Sequence, residues 1–374
     1  MVFEALALIL GTAHFSIPLT YYFYVKRYLD KPWNITFDAN FKPKVTVILP
    51  TYDEADIIEQ RLENLQQQDY PKELMEVLVV DSSDDETASI VKKWVRREND
   101  MNLKLIREAE RRGKIHALEL ALNYISPDCE VIVFTDADVF WHPEALSKVV
   151  SYLSDHSVGA STASIVYTDI ENSFLEDAYR DYYNIIRVAE SKVHSTPIHN
   201  GPLLAIKAEL LRSAGLPTFP GSDDSAFGSF VAFNGYRAVQ ADDIIIKEPI
   251  RGNQVLRKIR RAQHLLINFL TTKRYAKKRG LYRKSLFDRI WRMEWYFHVV
   301  NPWLLMVSIA FFLIDVTLFK SLISMVLLLI GLAFLALKTF RMWFLQQLYL
   351  TVAAIRNLWT KDVMWKKPER GRKI

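Results

Sequence analysis

The sequence predicts an α/β fold: a mostly parallel sheet wrapped by helices, carried by interfacial amphipathic helices and about three transmembrane helices. Three observations predict it. Short β-branched runs alternate with stretches of helical period between residues 44 and 248. Acidic residues directly follow three of those runs. Long apolar runs stand towards both ends of the chain.

The first apolar run, residues 2–25, is closed by Lys26 and Arg27. No basic residue precedes it and no small-residue cleavage pattern follows. That speaks against a secretory signal and for a membrane-spanning helix. Glu4 and His14 are its polar interruptions. Val45-Thr46-Val47-Ile48-Leu49 then reads as a buried strand ended by Pro50. Residues 54–68 place Ile57, Ile58, Leu62 and Leu65 on one helical face. Residues 77–80 are a second strand, and 86–97 a helix with Ile90, Val91, Trp94 and Val95 inward. Residues 103–106 and 131–134 are third and fourth strands, with a helix over 114–124 between them. Ligands of such sheets sit at the carboxyl ends of the strands.

Residues 255–275 and 287–297 mix apolar and cationic side chains, the composition of helices lying in the headgroup plane. Trp291 and Trp295 read as interfacial anchors there. Residues 342–359 have the same mixed character. The apolar runs 299–316 and 322–337 are joined by a short linker and read as a transmembrane hairpin. The expected division is a membrane helix over 1–27, an α/β domain over 28–250, interfacial helices over 251–297, the hairpin over 298–338 and a basic tail over 339–374. Cations cluster after the first span, before the second and after the third. The positive-inside rule then puts the α/β domain and the C-terminus in the cytoplasm of an integral membrane protein at the cell membrane.

Composition narrows the function. One cysteine excludes an internal disulfide and Cys-rich zinc modules. Hydrophobic residues at 50% exclude intrinsic disorder. Lys and Arg exceed Asp and Glu by only 5. They concentrate beside apolar segments and form no basic face on the middle domain, so no nucleic-acid partner is expected. Membrane lipids are the expected partners of those cations.

The chemistry stands at the strand ends. Pro50-Thr51-Tyr52-Asp53-Glu54 follows the first strand, and Asp81-Ser82-Ser83-Asp84-Asp85 the second. Asp84 and Asp85 also suit simple caps. Asp136-Ala137-Asp138 follows the fourth strand. Alternate residues of an extended segment face the same way, so both carboxylates can serve one hard cation, Mg2+ or Mn2+. Arg111-Arg112-Gly113-Lys114 opens a helix, where cations and free N–H groups favour an anion, although a solvated basic turn has the same pattern. Asp223 and Asp224 precede another helix; Asp224 suits a cap or a general base for an acceptor hydroxyl. Arg257, Lys258, Arg260 and Arg261 form a cluster able to clamp a diphosphate or attract anionic lipid. His116 reads as a surface helix residue and Cys129 as a partly buried one. His199 precedes a Gly segment near which an acceptor would come.

Six of these motifs, in order, resemble the membrane-bound family-2 glycosyltransferases, the group of cellulose synthase, hyaluronan synthase and dolichyl-phosphate mannose synthase. The resemblance covers roughly residues 44–264. Residues 50–54 look like that family's Pro-x-Tyr-Asn-Glu, with Asp53 for Asn. Val80-Asp81-Ser82-Ser83-Asp84 looks like its second aspartate motif, and residues 112–118 like its Gly-Lys-x-x-Ala-Leu segment. Asp136-Ala137-Asp138 looks like its Asp-x-Asp. Asn200 and Gly201 open a segment similar to its acceptor-side one, and Asp223-Asp224 resembles its Glu-Asp pair.

The resemblance implies a GT-A fold, a nucleotide-sugar donor, a divalent cation and one inverting displacement at the anomeric carbon. It places Pro50, Tyr52, Glu54 and Asp81 at the nucleoside, and Lys114 and Asp136 near the ribose and diphosphate. Asp138 would hold the metal beside Asp136. His199, Asn200 and Gly201 would face the acceptor, with Asp224, beside Asp223, as base and Arg260 or Arg261 at the diphosphate. Processive members carry Gln-x-x-Arg-Trp on an interfacial helix. Around Arg260-Arg261 no tryptophan follows, which points to a non-processive enzyme. The expected activity is transfer of one sugar, mannose from GDP-mannose by analogy, to a lipid-linked acceptor. The rival readings are a processive polysaccharide synthase using a UDP-sugar, a sugar-phosphate nucleotidyltransferase and a non-enzymatic lipid-binding scaffold.

Overall fold

A computed structural model describes residues 2–97, 100–167, 170–217, 225–248, 254–282 and 285–360. The chain opens with helix α1 (Val2–Lys26) and enters the sheet at β1 (Val45–Thr51). Then come α2 (Ile58–Gln66), β2 (Met75–Asp81), α3 (Thr87–Arg97), β3 (Asn102–Arg107), α4 (Lys114–Leu122) and β4 (Val131–Phe134). The second half adds α5 (Ala145–Ser151), β5 (Val158–Tyr167), α6 (Ile170–Val193), β6 (Leu204–Lys207), α7 (Ala208–Ala214), α8 (Ala226–Phe233) and β7 (Arg237–Glu248). It closes with α9 (Gln254–Lys278), α10 (Leu286–Trp295), α11 (Asn301–Phe319), α12 (Leu322–Phe334) and α13 (Lys338–Arg356).

The seven strands lie in the order β3-β2-β1-β4-β6-β5-β7. Only β6 runs against its neighbours, β4 and β5. The chain leaves β1 towards β2 on one side and reaches β4 on the other. That change of direction opens a crevice above their carboxyl ends. Both sheet faces are covered. Val45, Val47 and Leu49 of β1 join the core on one side, and Ile48 the core on the other. Period 2 with two buried faces explains why these strands read as continuous apolar runs.

The four expected strands are present, and β5 to β7 complete the sheet. Ser161, Thr162 and Ser164 in β5, and Gln240, Asp242 and Asp243 in β7, hide an apolar strand pattern. Buried partners meet several of these polar groups. Ser161 Oγ donates to Val149 O at 2.6 Å, and Gln240 Nε2 to Ser164 Oγ at 3.0 Å.

Among the described residues two helices are long and apolar enough to cross a membrane, Val2–Lys26 and Leu286–Phe319. A third span exists if α12 and α13, bent by 106° at their junction, count as one. Alone, the 13 residues of α12 reach about 20 Å, short of a hydrocarbon core of roughly 30 Å. Leu318, Leu322 and Leu332 are exposed, as are Ile9 and Phe23 of α1, the surface a bilayer would cover. The polar interruption at His14 is resolved by packing. His14 is buried, its Nδ1 lies 3.0 Å from Asn301 O, and Trp343 Nε1 donates to its Nε2 at 2.9 Å.

The expected boundary near residue 297 falls inside one 34-residue helical stretch, where α10 runs into α11 through a π-helical turn, Tyr296–Val300. Pro302 explains the widening, since it has no N–H and its ring crowds the carbonyl four residues earlier. Trp291 is a correction. It is no interfacial anchor but a core residue, 1% exposed, packed with Phe233, Phe269 and Phe287. Its Nε1 donates to Ser229 Oγ at 3.1 Å, so α10 docks on α8 and α9 through this ring. Trp295 is half-buried, with Lys273 Nζ 4.1 Å from its ring centre.

Candidate active site

The crevice is built from the loop after β1 upward. Asp53 adopts a left-handed backbone, φ 52°. Asn and Asp tolerate that conformation best among residues with a Cβ, which accounts physically for Asp standing where the family motif has Asn. Side chains of the next loop hold this one. Ser83 Oγ accepts from Asp53 N–H at 2.8 Å, Thr87 Oγ1 from Glu54 N–H at 2.9 Å and Asp85 from Ala55 N–H at 3.2 Å. Asp85 also accepts from Thr87 N–H at 2.9 Å at the start of α3, the expected capping role. Asp84 is exposed, and its N–H donates to Asp53 Oδ1 at 3.1 Å.

Asp81 is fully buried. Its Oδ1 accepts from Thr51 Oγ1 at 2.7 Å and Ser83 Oγ at 2.5 Å, and its Oδ2 is paired with Arg107. Arg107 also donates to Ser83 O at 3.0 Å. Asp81 therefore ties the ends of β1, β2 and β3 together. Sequence reasoning missed Arg107, whose only signal is the register that sets Asp81 beside it. Around the nucleoside candidates, Pro50 and Tyr52 are half-buried and Glu54 is buried. The Arg111 guanidinium lies 3.6 Å from the centre of the Tyr52 ring. That pairing joins two motifs separated by 59 residues in the chain. His116 braces the same corner, with Nδ1 2.6 Å from Glu108 Oε1.

Lys114 begins α4 after Gly113, whose φ of 97° favours glycine. Lys114 Nζ reaches Asp136 Oδ1 at 2.6 Å, so two sequence-separated candidates meet. Along the segment after β4, Thr135, Ala137 and Val139 are buried, whereas Asp136 and Asp138 are half-buried. Burial alternates as expected, but Ala137 and Asp138 lie in a turn and not in an extended segment. Among the described residues no group of three His, Cys, Asp or Glu side chains gathers as a metal site. Two adjacent carboxylates fit a hard cation that shares its remaining positions with phosphate oxygens and water.

One residue behind this segment has no counterpart in the sequence reading. Arg61 of α2 is completely buried. It donates to Thr135 Oγ1 at 2.8 Å and to Asn64 Oδ1 at 2.6 Å, and lies 4.5 Å from the centre of the Trp141 ring. Burial pushes its pKa down to about 9, and Asp136 and Asp138 oppose that shift. Asn64 holds the backbone of Trp141 through both polar groups, at 2.8 and 2.9 Å. Thr135 Oγ1 and Trp141 Nε1 both donate to Pro202 O, at 3.0 and 2.9 Å. The acidic segment is thus pinned on both sides and joined to the segment carrying Asn200 and Gly201.

The segment expected on the acceptor side lies in the interior. Asn200 Nδ2 donates to Ala163 O at 2.9 Å, and its Oδ1 accepts from Arg187 at 2.9 Å. Gly201 is buried. His199 is buried at 2% exposure. Burial, then the charge of Arg187, pushes its pKa down to about 3. Helix α8 presses on the segment through Gly228. A Cβ there would lie 2.7 Å from Thr196 O and 2.9 Å from Pro197 C and His199 Cδ2. Gly228→Ala is expected to lower the melting temperature by several degrees, about 1–3 kcal/mol of overpacking. Unchanged melting would show that the segment yields freely.

Asp223 and Asp224 lie outside the described residues, as does the tail beyond residue 360. Ser225, next in the chain, accepts from Asn268 Nδ2 of α9 at 2.6 Å. A cleft lined by Ile198, Ser225, Ser229, Leu265 and Asn268 opens beside it. Arg260 is half-buried and Arg261 exposed on the same helix. Cys129 is buried, its thiol donating to Val131 O at 3.2 Å.

The family model for glycosyl transferase family 2 matches residues 46–212. A hyaluronan synthase from Streptococcus pyogenes is 27% identical over 177 residues, 45% of this chain and 41% of that protein. The poly(ribitol-phosphate) beta-N-acetylglucosaminyltransferase TarS from Staphylococcus aureus (strain Mu50 / ATCC 700699) is 34% identical over 115 residues, 30% of this chain and 19% of that protein. The chain thus spans less than half the length of these curated relatives. A solved structure, the mannosyltransferase PcManGT from Pyrobaculum calidifontis in complex with GDP-Man and Mn2+, is 41% identical with a TM-score of 0.85. It covers 96% of this chain and 99% of that one.

Proposed function

The chain belongs to glycosyl transferase family 2 with a GT-A-like fold, and from that premise we propose that it moves mannose from GDP-mannose to a lipid-linked acceptor with a divalent cation. One observation carries the donor. The 41% identity to a mannosyltransferase holding GDP-Man and Mn2+ runs over 96% of this chain, membrane helices included. The acceptor follows from the apolar helices that flank the sheet domain on both sides, an attachment a soluble acceptor would not require. The proposed topology keeps the sheet domain and the C-terminus cytoplasmic, from the placement of the cations. The chemistry fits lipid-linked glycan or glycolipid synthesis.

Each residue then has a task. The Tyr52 ring, braced by Arg111, borders the nucleoside, with Glu54 and Asp81 setting the loop that receives it. Lys114 places a cation near the diphosphate, and Arg260 or Arg261 adds another from α9. Asp136 and Asp138 would hold Mg2+ or Mn2+, which when bound offsets the charge that grows on the leaving diphosphate. Asp224 takes the proton from an acceptor hydroxyl as the sugar inverts in one displacement. His199, Asn200 and Gly201 back the wall on the acceptor side from the interior.

A processive synthase using a UDP-sugar is the second reading, favoured by the likeness to hyaluronan synthase. It would extend one acceptor many times, whereas the proposed enzyme adds one sugar. The test is a melting screen of the detergent-solubilised protein with GDP or UDP, each with and without Mn2+. A ligand at a hundredfold excess over its Kd adds about 2.7 kcal/mol to the native state, a rise of several degrees. A Mn2+-dependent rise with GDP alone is expected. A rise with UDP alone would overturn the mannose reading.

A further inference from the structure

We propose that Arg61 is a positioning residue of the cation site, a buried counter-charge that makes capture of the cation depend on the donor's diphosphate. The cation site and the nucleotide donor rest on the reading above; the placement of Arg61 beneath Asp136 is seen in the structure. Two carboxylates, Asp136 and Asp138, lie near Lys114 and Arg61, among the cations of the site. Lys114 lies at 2.6 Å from Asp136 on the crevice side. Arg61 lies beneath, donating to Thr135 Oγ1 at 2.8 Å, directly before Asp136 in the chain.

The placement of Arg61 is enforced from several directions. Its two terminal nitrogens are held by Thr135 and Asn64, and its plane lies on Trp141. Those partners flank the acidic segment at both ends. A fully buried guanidinium cannot swing away when a cation arrives, as an exposed lysine can. Low local dielectric keeps its repulsion of that cation strong. The carboxylate pair, its charge offset in part by Lys114 and Arg61, then holds a divalent cation weakly by itself. A diphosphate supplies the missing negative charge, so cation and nucleotide bind as a unit.

The experiment follows free Mn2+ by its paramagnetic resonance signal during titration of the full chain in detergent, with Mn2+ alone and with GDP or UDP present. The wild type is expected to bind Mn2+ alone at least about tenfold more weakly than with its nucleotide. Arg61→Met is expected to bind Mn2+ alone at least about tenfold more tightly than the wild type, and to lose most of the nucleotide dependence. Arg61→Lys, whose ammonium the same burial would partly deprotonate, is expected to fall between the wild type and Arg61→Met. Arg61→Gln stands in if the methionine variant fails to melt cooperatively. Equal Mn2+ affinity with and without either nucleotide in the wild type would overturn the proposal. So would a charge-removed variant that binds Mn2+ alone no more tightly. Tightening by UDP instead of GDP would support the role of Arg61 while overturning the mannose donor.

Discussion

Asp138→Ala is expected to abolish the cation-dependent part of donor binding and to lower kcat/KM by about 1000-fold, several kcal/mol of transition-state stabilisation. Asp136 is paired with Lys114 at 2.6 Å, and the proposed cation site gives Asp138 the principal role. Truncating it leaves Asp136 largely neutralised and removes the second oxygen donor. The nucleoside contacts are untouched, so residual cation-independent binding is expected to persist. Asp138 is half-buried on a segment held by Arg61, Asn64 and Pro202, so melting without ligand is expected to change by no more than a few degrees. The measurement is the melting shift with GDP, with and without Mn2+, beside the transfer rate. A variant that keeps the full Mn2+-dependent shift would remove Asp138 from the cation site.

Asp224→Asn is expected to retain donor binding and to lose about 100- to 10000-fold in kcat, the range for removal of a general base. Asparagine keeps the size and a hydrogen bond but cannot take the proton from an acceptor hydroxyl. The expected kinetic signature is a fall in kcat with little change in the KM for donor. The test also reads the acceptor. A phosphate oxygen is already anionic at neutral pH and needs no base. Retained turnover in the asparagine variant would overturn the role of Asp224 as base and direct the search to anionic lipid acceptors.

The local patterns in the chain carried far. β1, β2 and β4 were legible because a strand buried on both faces writes itself as a short apolar run. The alternating burial around Asp136 and Asp138 was legible, although Ala137 and Asp138 form a turn and not the extended segment that was expected. The meeting of Lys114 and Asp136 was reached through motif likeness, not through spacing. The later strands were not legible, because the polar groups of β5 and β7 are paired inside the fold. Trp291 was misread for a related reason. A tryptophan among cations has the composition of a membrane-interface residue, and only the docking of α10 against α8 shows that it is interior.

By itself the sequence determined the α/β class, the acidic crevice edge, the apolar helices and the family. Each depends on residues close together in the chain or on motifs in a set order. Tertiary structure alone decided that Arg61 lies beneath the acidic pair, that Arg107 locks Asp81 and that Arg111 covers Tyr52. These are charges whose partners stand 26 to 74 positions away. No local period records such a pairing. Burial strengthens two of them, because Arg61 and the Asp81 carboxylate are removed from water and must find partners wherever the fold brings them.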